Sequence, residues 1–236
     1  MPFRFGILCF PGVQQLDLTG PYEVFAAARD AQVDLVWKSR APVRASSGLW
    51  LTPSLTFDDA PDFDLICVPG GGGVNPLLTD EETLGFVRAQ AKTARFVTAV
   101  CTGALVLGQA GLLAGKRATT HWNAMDFLER FGAVAVEERV VHDGNLVTAG
   151  GVTSGIDFGL SVIAEVMGRD EAEIIQLSLE YAPSPPFDAG SPRRVRPEIL
   201  AAARQRMARS RQEREALLWT ESNAGVGLEI AGRKFL

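Results

Sequence analysis

The residues best suited to chemistry in this chain of 236 residues lie in Arg95-Phe-Val-Thr-Ala-Val-Cys101-Thr-Gly-Ala-Leu-Val-Leu-Gly-Gln-Ala-Gly111. A β-branched apolar run ends in Cys101, and small residues then open an apolar helical pattern. The pattern predicts a strand, a sharp turn and a helix, with Cys101 at the turn. Such an elbow projects its side chain from the carboxyl end of a sheet, close to the positive N-terminal end of the next helix. Both the exposure and the helix dipole favour thiolate. This is a nucleophile elbow built with sulfur. Most cysteines pack instead as small hydrophobes, and Cys9 and Cys67, each inside an apolar strand, fit that description. Cys101 does not, because Thr102-Gly103 clears space around it.

A thiolate that attacks an electrophilic carbon needs donors for the developing charge and a source of protons. Pro69-Gly-Gly-Gly-Gly73 follows a buried strand, and glycine lets backbone N–H groups approach a ligand closely. Gly71, Gly72 and the N–H of Thr102 are therefore the oxyanion and substrate-binding candidates. A flexible connection is the plainer alternative. A phosphate loop is excluded, since no Gly-Lys-Ser/Thr follows. For the proton the candidate is Asp17, between Leu16 and Leu18: desolvated near a thiolate, it would hold its proton and bond the sulfur. A helix-capping aspartate explains the position equally well. His121 is either a general base or a ring packed beside Trp122. His121, Trp122, Gly150 and Val152 are candidates for the pocket wall, and the Thr102 hydroxyl for orienting the thiolate or a water. His142 reads as structural.

The elements that must position these residues alternate between short apolar runs and helical patterns. Strands are expected over 5–10, 33–37, 64–68, 96–100 and 117–120, and helices over 19–28, 80–92, 103–110, 123–130, 155–167 and 171–180. Thr19 is the expected cap of the first helix, with Pro21 near its first turn. Residues 139–148 read as a hairpin turning at Asp143-Gly144. Continuously apolar strands alternating with helices predict a mainly parallel sheet covered on both faces. Ligands bind such sheets at the carboxyl ends of the strands, where Cys101, Gly70 to Gly73 and the loop after Phe10 all fall. Residues 182–192 are proline-rich and helix-incompatible. A charged helix over 197–219 follows, with eight arginines between Arg193 and Arg214. Glu198, Glu213 and Glu215 relieve that charge, so a solvated helix lying on the domain or on a partner is expected. Residues 221–236 are expected to be mobile.

Composition narrows the classes. The chain is 47% hydrophobic with 22% charged residues, which suits a globular domain with a sizeable core. A net charge of −5 argues against a general nucleic-acid binder. No uninterrupted apolar segment is long enough to span a bilayer, and no leader pattern precedes the first strand. Three cysteines, two of them in core-like strands, suggest reduced thiols in a cytoplasm. No Cys or His pair has metal-ligand spacing, so no metal is expected.

Four stretches together carry a resemblance: Ala99-Val-Cys-Thr-Gly-Ala104, Val68-Pro-Gly-Gly71, Thr119-Thr-His-Trp122 and Phe10-Pro-Gly-Val-Gln-Gln-Leu-Asp-Leu-Thr-Gly-Pro-Tyr-Glu23. They resemble the ThiJ/PfpI superfamily, whose fold is α/β, class I glutamine-amidotransferase-like and flavodoxin-like. That implies a three-layer sandwich with a cysteine nucleophile elbow. Within it the chain is most similar to bacterial isonitrile hydratases, from residue 3 to about 192. The resemblance implies a domain over 1–192, a C-terminal arginine-rich helix and tail over 193–236, and a homodimer. It further implies hydration of R–N≡C to an N-substituted formamide without cofactor or metal. Carried to matching positions, Cys101 is the nucleophile and Asp17 its carboxyl partner, where many superfamily members have glutamate. Thr102 stands where the protease-like branch has histidine, which argues against peptidase activity. The expected route is attack of Cys101 on the terminal carbon, a covalent thioimidate, and its hydrolysis by water that Asp17 activates.

Two further classes are compatible with these motifs. One is a non-catalytic or redox-responsive stress protein of the same superfamily. The other is the ligand-sensor half of AraC-type regulators, although only 44 residues follow Pro192, short for a double helix-turn-helix.

Overall fold

Fully apolar runs become central strands. The computed structural model describes the backbone of residues 2–230 and the side chains of residues 2–219. The chain divides into two compact units, Met1–Asp188 and Ala189–Leu236. The first begins β1 (Phe3–Leu8), α1 (Gln15–Ala26), β2 (Ala31–Trp37), β3 (Val43–Arg44), β4 (Trp50–Leu51) and β5 (Leu55–Thr56). There follow β6 (Leu65–Val68), α2 (Val74–Leu77), α3 (Glu81–Ala91), β7 (Phe96–Val100) and α4 (Gly103–Gln109). After β8 (Arg117–Ala118) come a 3₁₀ helix (Trp122–Phe131) and β9 (Val134–Ala135). The unit closes with β10 (Val140–Asp143), β11 (Leu146–Ala149), α5 (Ser154–Met167) and α6 (Arg169–Ser178). The second unit holds α7 (Pro197–Ile230).

The main sheet runs β10-β11-β7-β6-β1-β2-β5. Its pairings are parallel except the β10–β11 hairpin. Every residue of β6 and β7 is buried, as a sheet covered on both faces requires. Taken in chain order, β1, β2, β6, β7 and β11 are arranged 2-1-3-4-5, the flavodoxin-like doubly wound order. The strand order reverses between β1 and β6, the place where doubly wound sheets bind ligands at the carboxyl ends of their strands. Helix α1 packs on α5 and α5 on α6, while α4 packs on α2 and α3, so two helical layers enclose the sheet. Phe5, Phe25 and Phe158 join β1, α1 and α5, with ring centroids 4.2 Å and 5.8 Å apart along the chain of contacts.

Several elements depart from expectation. Helix α1 starts four residues ahead of Thr19, which therefore caps nothing, and Pro21 lies inside the helix. The strand expected over 117–120 shortens to β8 and leaves the main sheet to pair with β9. The segment expected as an α-helix over 123–130 is 3₁₀, entered through His121, whose side chain accepts the Asn123 N–H at 3.2 Å. Three two-residue strands, β3 to β5, and the single turn α2 were unforeseen. In α7 the Arg209–Glu213 pair at 3.0 Å lies at i,i+4, as the solvated-face reading expects. The expected mobility of 221–236 falls on residues whose side chains, and from 231 whose backbone, lie outside the described residues. No helix among the described residues is long and apolar enough to cross a membrane.

Candidate active site

Three loops meet beside the switch point, those after β1, β6 and β7. The first two are tied by a Val13–Gly71 bridge and by the Gln14 N–H on the Gly70 carbonyl at 2.8 Å. This pairing fixes the start of α1, since Gln14 occupies the cap position without a side-chain cap bond. Asp17 consequently sits in the first turn of α1, not ahead of it, and is fully buried. It is no cap. Its Oδ2 accepts the Gly70 N–H at 3.0 Å, while Oδ1 has no protein partner.

Cys101 follows β7 with φ +57°, the left-handed region. For a residue with a Cβ this costs about 1–2 kcal/mol, and it persists only where neighbours enforce it. Here the Cys101 N–H donates to the Ala149 carbonyl at 2.9 Å, and the buried Thr120 hydroxyl donates to the Cys101 carbonyl at 2.6 Å. Thr120 thus positions the elbow from the end of β8. The thiol lies against the Asp17 carboxyl and shares a hydrogen bond with it, while Thr102 turns its N–H and hydroxyl to the sulfur.

The electrostatics correct the sequence expectation of an exposed thiolate. Cys101 is only 5% exposed. Burial first, then the charge of Asp17, pushes its thiol well above the ordinary range, against the pull of the Thr102 donors. Burial likewise raises the Asp17 carboxyl to about 7, although the Gly70 N–H and the Cys101 thiol oppose the rise. Two acids enclosed together resist carrying two charges. The pair therefore gives up its first proton far more readily than its second. Cys9 and Cys67 are packing residues, with burial pushing each thiol up to about 12.

The DJ-1/PfpI family profile matches residues 4–165. The chain belongs to the DJ-1/PfpI family. It is 58% identical over 210 residues to the isonitrile hydratase of Pseudomonas putida, covering 89% of this chain and 92% of that one. A crystal structure of a ThiJ/PfpI family protein from Pseudomonas syringae superposes with a TM-score of 0.89 at 40% identity, covering 92% of this chain and 91% of that one. The transcriptional regulator GbdR of Pseudomonas aeruginosa is 38% identical over 141 residues, 59% of this chain but only 38% of the regulator.

Within this DJ-1/PfpI site, the sequence candidates fall at different distances from the buried pair. Thr102 is at the sulfur. Gly71 is close, but its N–H is already given to the Thr102 hydroxyl oxygen at 3.1 Å, so it is not a spare oxyanion donor. Gly72 is exposed. His121 and the turn after β11 adjoin each other, since a Cβ on Gly151 would lie 3.3 Å from His121 Cδ2 and one on Gly150 3.7 Å from the Thr120 carbonyl oxygen. Trp122 lies beside His121 with ring centroids 5.4 Å apart, and Val152 is half-buried in the same turn. His142 bonds Ser161 and Glu165 on α5, away from this cluster.

Gly70, which the sequence marks only as part of the glycine run, has no room for a side chain directly against the pair. A Cβ there would stand 2.7 Å from Asp17 Oδ2, 2.7 Å from the Thr102 nitrogen and 2.8 Å from its hydroxyl oxygen. Gly70→Ala is expected to destabilise the fold by about 1–3 kcal/mol through overpacking. Gly72→Ala, whose Cβ would meet nothing within 4 Å, is expected to stay within about 0.5 kcal/mol of the parent. Urea unfolding of the two variants checks the contrast, and equal midpoints would contradict it.

Proposed function

We propose that this chain is an isonitrile hydratase that converts R–N≡C and water to an N-substituted formamide. The observation that carries the reading is the 58% identity, over nearly the whole of both chains, to the Pseudomonas putida isonitrile hydratase. The buried Cys101–Asp17 pair supplies a chemistry that fits it. Sulfur donates its electron pair to the terminal carbon, and the proton shared with Asp17 passes to that carbon, giving the thioimidate S–CH=N–R. Water then adds to the same carbon as one of its protons moves to Asp17, which passes it to the nitrogen as the C=N π pair settles there. Collapse forms the carbonyl, breaks the C–S bond and returns the hydroxyl proton to the Cys101–Asp17 pair, releasing the formamide and restoring the thiol. No step changes the oxidation level of a protein group, so the reading invokes neither cofactor nor metal. Thr102 orients the sulfur, and His121, Trp122, Gly150 and Val152 line the side that receives R.

The same reading assigns catalysis to residues 1–192 and leaves 193–236 as an arginine-rich helix and tail beside the catalytic domain. A homodimer would cover apolar side chains such as Leu177 and Phe187, which are 81% and 78% exposed. We place the enzyme in the cytoplasm, acting on a small molecule and not on nucleic acid or membrane. A sensor reading has less support, since GbdR matches over only 38% of its own length. Incubating the purified protein with a simple alkyl isonitrile and following formamide by NMR tests the proposal. Catalytic formamide is the expected result; binding or thiol oxidation without formamide would favour the sensor or stress-protein reading.

A further inference from the structure

The turn that links β11 to α5, Gly150–Thr153, begins beside the nucleophile. The residue before it is Ala149, whose carbonyl accepts the Cys101 N–H at 2.9 Å. The turn has little of its own to hold it in place. Gly150 and Gly151 carry no side chains, and Thr153, at the cap position of α5, makes no side-chain bond to that helix. A threonine there ordinarily gives its hydroxyl oxygen to the helix's own N–H groups.

The turn is held from outside instead. The Arg139 carbonyl accepts the Gly150 N–H at 3.0 Å. The Arg139 guanidinium reaches the other end of the turn, where Nη2 donates to the Thr153 hydroxyl oxygen at 3.1 Å and Nε donates to Asp157 Oδ2 in the first turn of α5. Tyr181, beyond α6, completes the clamp, its hydroxyl donating to Asp157 Oδ1 at 3.2 Å. One arginine thus grips both ends of the turn. Stability is not what this grip mainly supplies. The Arg139 and Asp157 side chains are 52% and 32% exposed, and ion pairs in that setting contribute little. A cation beside the positive end of the 14-residue α5 is also unfavourable until Asp157 offsets it. A planar guanidinium bound at two points supplies a fixed geometry.

We infer that Arg139, held by Asp157 and Tyr181, is a positioning residue that sets which R groups the site accepts, by fixing how far the Gly150–Thr153 turn stands from Cys101. This rests on the hydratase reading, in which Gly150 and Val152 line the side that receives R. Attack by sulfur and proton passage at Asp17 use no atom of the clamp. Releasing it lets the two-glycine turn draw back, which admits a bulkier R and holds a small one less closely.

Steady-state kinetics with methyl isonitrile and cyclohexyl isonitrile test this. Arg139→Met keeps the apolar stem and removes the guanidinium. It is expected to shift the ratio of the two kcat/KM values about ten-fold toward the cyclohexyl substrate, the low end of what one methylene's fit to a pocket is worth. The shift should lie in KM, with kcat for methyl isonitrile and its pH profile unchanged. Tyr181→Phe, which removes a single hydroxyl, should shift the ratio the same way by a smaller factor. An unchanged ratio in both variants, or an equal loss on both substrates, would overturn the clamp while leaving the hydratase reading intact. If the parent chain makes formamide from neither isonitrile, the hydratase reading fails and this inference with it.

Discussion

At pH 8 the Asp17→Asn variant is expected to be more stable than the parent chain by on the order of 4 kcal/mol. Burial raises the Asp17 carboxyl from 3.8 to about 7, and each unit is worth about 1.36 kcal/mol. An acid raised in the folded state binds its proton more tightly there than in the unfolded chain. Its stabilising contribution is complete below pH 3.8 and falls away as the pH rises through about 7. The amide has no such titration, so the difference between the two proteins should be small near pH 4 and full above pH 7. Urea unfolding at both pH values measures it. Stabilities that differ by the same amount at both would show that the carboxyl is not desolvated as the geometry requires. The site would then carry no stored cost for its function.

The same substitution should nearly abolish turnover. A carboxyl that passes a proton in both half-reactions is worth about 10²–10⁴-fold in rate, so Asp17→Asn should lose that much although it folds more firmly. In the parent chain kcat/KM should rise with pH through about 7, as the pair gives up the first of its two protons and becomes nucleophilic. The variant should lose that limb. His121→Ala should be milder and keep the limb, because His121 is committed through its ring to capping the 3₁₀ helix. Rate profiles from pH 5 to 9 with one isonitrile decide the matter. Full activity in Asp17→Asn, or a collapse confined to His121→Ala, would move the proton-transfer role to the histidine.

These expectations show which parts of the site are written locally. The Cys101 elbow was legible because a β-branched run, a cysteine and two small residues admit few other conformations. The parallel sheet was legible from its unbroken apolar strands. The start of α1 was not, because it is set by pairing of Val13 and Gln14 with Gly70 and Gly71, residues more than 50 positions away. The thiol's burial was hidden for the same reason: exposure at an elbow depends on what α1 lays over it. The glycine run drew notice as a whole, yet only the fold shows that a Cβ on Gly70 would collide with Asp17 and Thr102 themselves, whereas one on Gly71 would collide with the backbone of the loop after β1. Thr120 was visible only as part of the Thr119-Thr-His-Trp122 stretch, with no role of its own. Its role follows from the Cys101 carbonyl that its hydroxyl holds in the fold.

The central claim is that Cys101 carries the isonitrile carbon as a covalent adduct. It is tested most directly by following formamide release from a simple alkyl isonitrile in parallel for the parent chain and Cys101→Ser. A serine hydroxyl, beside a carboxyl raised to about 7, has no base strong enough to make it an alkoxide. Sustained formamide from the parent and none above the uncatalysed rate from Cys101→Ser is the predicted result; undiminished formamide from Cys101→Ser would contradict the account.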